Sequence, residues 1–227
     1  MRGDTCIFCG LREGTTKDHV PPKALFPKPL PDDMVTVPAC EVCHSSSMKD
    51  DATVRNLLVS TREAEQHPTV LGGLADRRDR SLTRSADRSG ADVRELLDIM
   101  KEVELVTSSG VCAGKALAFD FDNAILDRFV ERLSRALLWH AFQQEHFHGR
   151  FDWRMNVDLP SAVYEGVMRY GKMRRVGEVL AYGVTPLSVS SPSWLFADFF
   201  GCTEFMIKTE HAEQDGAGQA PTRSESR

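Results

Sequence analysis

The 227 residues are 41% hydrophobic and 27% charged, which describes an ordinary globular chain long enough to bury a sizeable core. A net charge of −5 argues against a protein that holds nucleic acid by bulk charge alone. No apolar run approaches the ~18 residues expected of a membrane span, and the N-terminus, MRGDTCIFCG, lacks the apolar core of a signal peptide.

In chain order, Cys6-Ile7-Phe8-Cys9-Gly10 reads as a metal knuckle, two thiols flanking a turn that glycine closes. Asp18-His19-Val20 follows, and Pro21-Pro22 ends any strand there, because proline donates nothing to a ladder. A proline-rich loop over residues 24–33 leads into Met34-Val35-Thr36-Val37, a short β-branched strand. Cys40-Glu41-Val42-Cys43 is a second knuckle, and Ser45 to Ser60 has helical spacing with Val54, Leu57 and Leu58 on one face. Residues 1–60 therefore form a first module of knuckle, strand, loop, strand, knuckle and helix.

Residues 61–90 change character. Gly72-Gly73 breaks the chain, and ADRRDRSLTRSADRSGA carries five arginines against three aspartates with few apolar residues. That composition suggests a solvated linker; the sharper alternative is a basic arm whose Arg77, Arg78, Arg80 and Arg84 touch phosphates. A second α+β region spans 91–210. Asp92 caps a helix through Val93, Leu96, Leu97 and Met100, and strands follow at Glu102–Thr107 and Lys115–Phe121. The longest helix opens at Asp122-Asn123 and runs to about His146. Its apolar positions, from Ile125 to Phe142, form a stripe wide enough for a core helix. Strands at Glu178–Val184, Trp194–Phe200 and Glu204–Lys208 supply a small antiparallel sheet, and the polar tail 211–227 is expected to be disordered. His140, His146 and His148 read as surface or cap histidines, Asp120 and Asp122 as solvated, and Trp153 and Trp194 as core or interface residues.

The chemistry concentrates between Cys6 and Asp51. Two Cys-x-x-Cys turns supply the four thiolates of a tetrahedral structural zinc, Cys6, Cys9, Cys40 and Cys43. A two-residue spacer lets both sulfurs of a pair face one ion. Such paired thiols fit a reducing, cytoplasmic setting better than a disulfide framework, with Cys112 and Cys202 left buried and inert.

Cys6, Cys9, Asp18, His19, Cys40, Cys43 and His44, in that order and spacing, resemble the HNH endonuclease family. The resemblance covers roughly residues 4–60 and implies a zinc-stabilised ββα-metal module. Asp18 and His44 would hold one catalytic divalent cation, Mg²⁺ or Mn²⁺, and His19 would be the general base in phosphodiester hydrolysis. The implied partner is nucleic acid, DNA in the first place, with no membrane role and a homodimer or larger complex as the assembly. The chain departs from the pattern in two places. The second strand has no asparagine to brace the base, so Asp32, Asp33 or Thr36 would substitute, and Ser47 and Met48 stand where a later ligand is expected, leaving Asp50 or Asp51 to complete the shell. Neighbouring strand residues point to opposite faces, so Asp18 and His19 share one site only if one of them turns at the strand end. The alternative function is a zinc-stabilised module that binds nucleic acid or protein without cutting.

Overall fold

The structure, a computed structural model, describes residues 5–88, 94, 98, 100–107, 109–119, 123–143, 147, 149–156, 161–186 and 193–211. The expectations for Asp92, Asp120, Asp122, His146, His148 and the tail beyond His211 lie outside them, as does most of the helix expected after Asp92.

The architecture is mixed α+β, with small antiparallel sheets and one long helix. Strand β1 (Thr16–Val20) pairs antiparallel with β2 (Val35–Ala39), with His19 opposite Thr36 and Val20 opposite Val35. Helix α1 (Glu41–Ser46) follows directly, and after Ser47 the chain continues as α2 (Met48–Leu58). Alternation along β1 buries Asp18 and Val20 and leaves Lys17 exposed.

The loose segment expected over 61–90 is instead helical. It holds α3 (Arg62–Glu65), a π-turn at Val70–Leu74 and α4 (Ala75–Arg88). Val70 and Leu74 are fully buried and anchor the segment. Gly73, at φ 134°, makes the bend between the two turns, a backbone geometry that residues with a Cβ rarely adopt. The arginine count hid this because two of the cations serve internal carbonyls, as described below.

Hairpin β3 (Met100–Val106) and β4 (Cys112–Phe119) forms a second two-stranded sheet. Helix α5 (Asn123–Phe142) is the long one. After it come β5 (Gly149–Met155), α6 (Ser161–Tyr170), β6 (Lys172–Val176), β7 (Leu180–Val184), β8 (Ser193–Phe199) and β9 (Thr203–His211). The strands from β5 onward make one five-stranded antiparallel sheet in the order β5-β9-β8-β7-β6. The sequence reading missed β5, α6 and β6. In KMRRV of β6 only Val176 is buried, the mark of a charged edge strand without clean alternation.

Leu126, Phe129, Val130, Leu133, Ala136, Leu137 and Leu138 of α5 are buried. The stripe is wide enough that α5 packs on α2, β1 and β2 and also on β5 and β7. One apolar cluster consequently runs from Ile7, Val20, Val35 and Val37 through α5 to Leu195, Phe205 and Ile207. Each such side chain contributes about 1.5–3 kcal/mol when fully buried, so α5 ties the N-terminal elements to the sheet. No described helix is long and apolar enough to cross a membrane. Cys202 is half-buried and Cys112 is exposed, which corrects the expectation that both are buried.

Candidate functional site

The four cysteines are gathered by local backbone. Gly10, at φ 64°, turns the first knuckle so that its N–H donates to the Cys6 carbonyl at 2.9 Å. The Ile7 N–H donates to the Pro38 carbonyl at 3.1 Å, fixing that knuckle to β2. Cys40 caps α1, and Cys43 lies in its first turn. The sulfurs of Cys6, Cys9, Cys40 and Cys43 all lie within 4.8 Å of one another. Four ligands about 2.3 Å from a tetrahedral zinc stand about 3.8 Å apart, and Cys9 Sγ to Cys40 Sγ measures 4.0 Å. The cluster therefore could hold a structural metal such as zinc.

The electrostatics suit that role. The N–H of Cys43 donates to Cys40 and, against burial, holds its thiol down to about 6. Burial works against the Cys9 thiolate, yet N–H groups of Leu11 and Arg12 bring it below its ordinary value. Burial and the neighbouring Cys40 push the Cys43 thiol up. A divalent cation resolves that conflict by favouring all four thiolates at once.

Beside it lies a second polar cluster, on the face of β1 that is turned into the protein. Asp18 Oδ1 stands 3.0 Å from His44 Nδ1 on α1 and accepts the His19 backbone N–H at 3.0 Å. Its other oxygen, Oδ2, accepts Arg132 Nε at 3.1 Å and a shorter bond from Arg132 Nη2. Arg132, from α5, also donates through Nη1 to Asp51 Oδ1 at 2.8 Å, and its guanidinium lies over the Phe8 ring, 5.3 Å from the centroid. Side-chain exposure is 5% for Asp18, 14% for Arg132 and 42% for His44. Burial disfavours charge on Arg132, but Asp51 and Asp18 more than offset it and raise its pKa. Burial likewise pushes the Asp51 carboxyl up, against the pull of Arg132. A cavity of about 360 Å³ opens here, lined among others by Phe8, Cys43, Asp50, Asp51, Arg128 and Arg132.

His19 is half-buried, one residue from the end of its ladder, and still paired within it, so it points away from Asp18. Burial and then Lys23 lower its pKa from the ordinary imidazole value, which favours the neutral ring. Among the substitutes for the missing asparagine, Thr36 is the residue directly across from His19, whereas Asp33 accepts the Gly177 N–H at 3.2 Å. Asp50 pairs with Arg128 at 2.7 Å. Among the described residues, the four cysteines are the one group of three or more ligand-type side chains close enough to share an ion.

Of the four arginines suggested for phosphate contact, two face inward. Arg77 donates to the carbonyls of Ala24 and Phe26 at 3.2 and 3.3 Å, and Arg78 to Val59 and to Glu65 at 3.3 and 2.9 Å. Arg80 and Arg84 are exposed on α4. The member of the Asp18 cluster that sequence reasoning missed is Arg132. Its signal was periodic, since Arg128, Arg132 and Arg135 recur at i, i+4 and i+7 beside the apolar stripe of α5. Comparison with models of known families, with curated proteins and with solved structures finds no match.

Proposed function

We propose that the chain is a metal-dependent phosphodiester hydrolase of HNH type, acting on nucleic acid and on DNA first. In this reading β1, β2 and α1 form a ββα-metal unit braced by zinc at the four cysteines. Asp18 and His44 hold Mg²⁺ or Mn²⁺, and His19 is the general base. The observation that carries the reading is the 3.0 Å between Asp18 Oδ1 and His44 Nδ1. Two ligands at right angles around an octahedral ion, each about 2.1 Å away, stand about 3.0 Å apart. Water and substrate oxygens would complete the shell, as is usual for Mg²⁺.

The cation, when bound, supplies positive charge beside the phosphate and the departing oxygen. The chain does the rest. Burial and Lys23 favour the neutral form of His19, the form that can take a proton from the attacking water. Thr36 stands across the ladder from it, where a hydroxyl can orient the ring. His19 and Asp18 leave the strand on opposite faces, yet the Asp18 carboxylate still acts on His19 electrostatically.

One observation favours a second reading, a zinc-stabilised module that binds without cutting. Arg132 already neutralises Asp18, which is a stable end state for a carboxylate with no catalytic work. Plasmid incubated with zinc-loaded protein and Mg²⁺ or Mn²⁺ separates the two. The hydrolase nicks, and His19→Ala lowers the rate about 10²–10⁴-fold with its zinc intact. Equal nicking by both proteins, or none with either metal, leaves the binding module.

A further inference from the structure

We infer that Arg132 is a latch on the cation site, a side chain of α5 that competes with the divalent ion for Asp18. The inference rests on the reading of Asp18 and His44 as cation ligands and adds how that site is controlled. Two N–H groups of Arg132 grip Asp18 Oδ2 while His44 and the His19 N–H occupy Oδ1. All the acceptor directions of one carboxylate are thus engaged, and the group that faces it with a full positive charge is the guanidinium. A dication arriving at the same carboxylate meets that charge at close range, in a pocket where Asp18 and Arg132 are largely shielded from water. The two cations bind in competition.

Arg132 has partners besides Asp18. Its third contact, Nη1 to Asp51 Oδ1 at 2.8 Å, and its seat on the Phe8 ring do not depend on Asp18. Release from Asp18 therefore leaves the guanidinium paired with a carboxylate and stacked on an aromatic face rather than stranded. The latch opens when Arg132 gives up Asp18 and keeps these two contacts. It is mounted on the helix that also packs on β5 and β7 of the five-stranded sheet. A partner or substrate that shifts α5 relative to β1 acts on the cation site through this one side chain.

Manganese binding tests this without substrate. Zinc-loaded protein comprising all 227 residues is titrated with Mn²⁺, and free Mn²⁺ is read by electron paramagnetic resonance. Arg132→Gln is expected to bind Mn²⁺ at least tenfold more tightly than wild type, with Arg132→Lys, which keeps the charge but loses the fork, between them. Equal or weaker binding by a folded Arg132→Gln overturns the latch. Should that variant not fold, the wild type still decides. The Arg132 Nε–H resonance is expected to shift when Mg²⁺ saturates the protein, and a resonance indifferent to Mg²⁺ overturns the latch. Plasmid nicking keeps the two ideas apart. Tighter Mn²⁺ binding by Arg132→Gln with no nicking by either protein sinks the hydrolase and supports the latch. Nicking by wild type with unchanged Mn²⁺ affinity in the variant sinks the latch alone.

Discussion

The thiol cluster and the Asp18 cluster lie side by side, yet they are assembled in different ways. Each pair of thiols is presented by its own tight turn, and a two-stranded ladder brings the two turns together. The Asp18 cluster draws on β1, α1, α2 and α5, and its central ion pair joins residues 114 positions apart. The first is a local device repeated, and the second exists only once α5 has docked. The physical demands differ as well. Four thiols this close together could hold a cation between them, whereas a 95% shielded carboxylate such as Asp18 needs its charge balanced by whatever the fold can bring.

That contrast can be broken experimentally, the most drastic step first. Cys40→Ser removes a ligand from a site type worth about 10–16 kcal/mol when filled. It should eliminate bound zinc, loosen residues 5–46 to proteolysis and dissolve the Asp18–His44 contact as well. Elemental analysis with limited proteolysis checks this, and retention of a full equivalent of zinc would refute the thiol assignment. Leu133→Ala attacks the docking of α5 instead. A buried leucine of this kind costs about 2–5 kcal/mol on truncation. The melting temperature should fall in a single transition while zinc content stays constant. Two separate transitions would show that the N-terminal elements and the sheet do not share the core that α5 bridges.

His44→Ala is milder. It should leave zinc in place and raise the Mg²⁺ or Mn²⁺ concentration needed for nicking about tenfold, a step of about 1.4 kcal/mol. Loss of zinc together with the divalent dependence would mean that the two clusters are one site. The smallest expected effect is on pH. His19 must be unprotonated to act, and its pKa is lowered by burial and by Lys23. Nicking should therefore persist to lower pH than an ordinary imidazole base would allow, with its acid limb displaced downward. Lys23→Gln should move that acid limb upward, and an unmoved limb would remove Lys23 from the account.

How much could be read ahead of the structure follows the same division. Cys-x-x-Cys spacing is a local property, and it pointed to four sulfurs that do lie together. Helix α5 was legible because its apolar period is strong over 20 residues. By contrast, the arginines of 77–84 carried no information about their partners. Arg77 reads as a solvated cation until the carbonyls of Ala24 and Phe26 are seen in front of it. Strand β6 escaped notice because an edge strand covered with charge has no hydrophobic alternation to detect.

The sequence by itself determined the mixed α+β class, the thiol cluster and the placing of Asp18 and His44 next to its two turns, since these follow from periodicity and short spacing. Only the tertiary structure decided that Asp18 faces inward, that His19 lies across from Thr36, and that Arg132 closes the cluster. Burial is the reason. Whether a carboxylate meets water, a metal or a guanidinium depends on which distant helix covers it, and no local pattern encodes that choice.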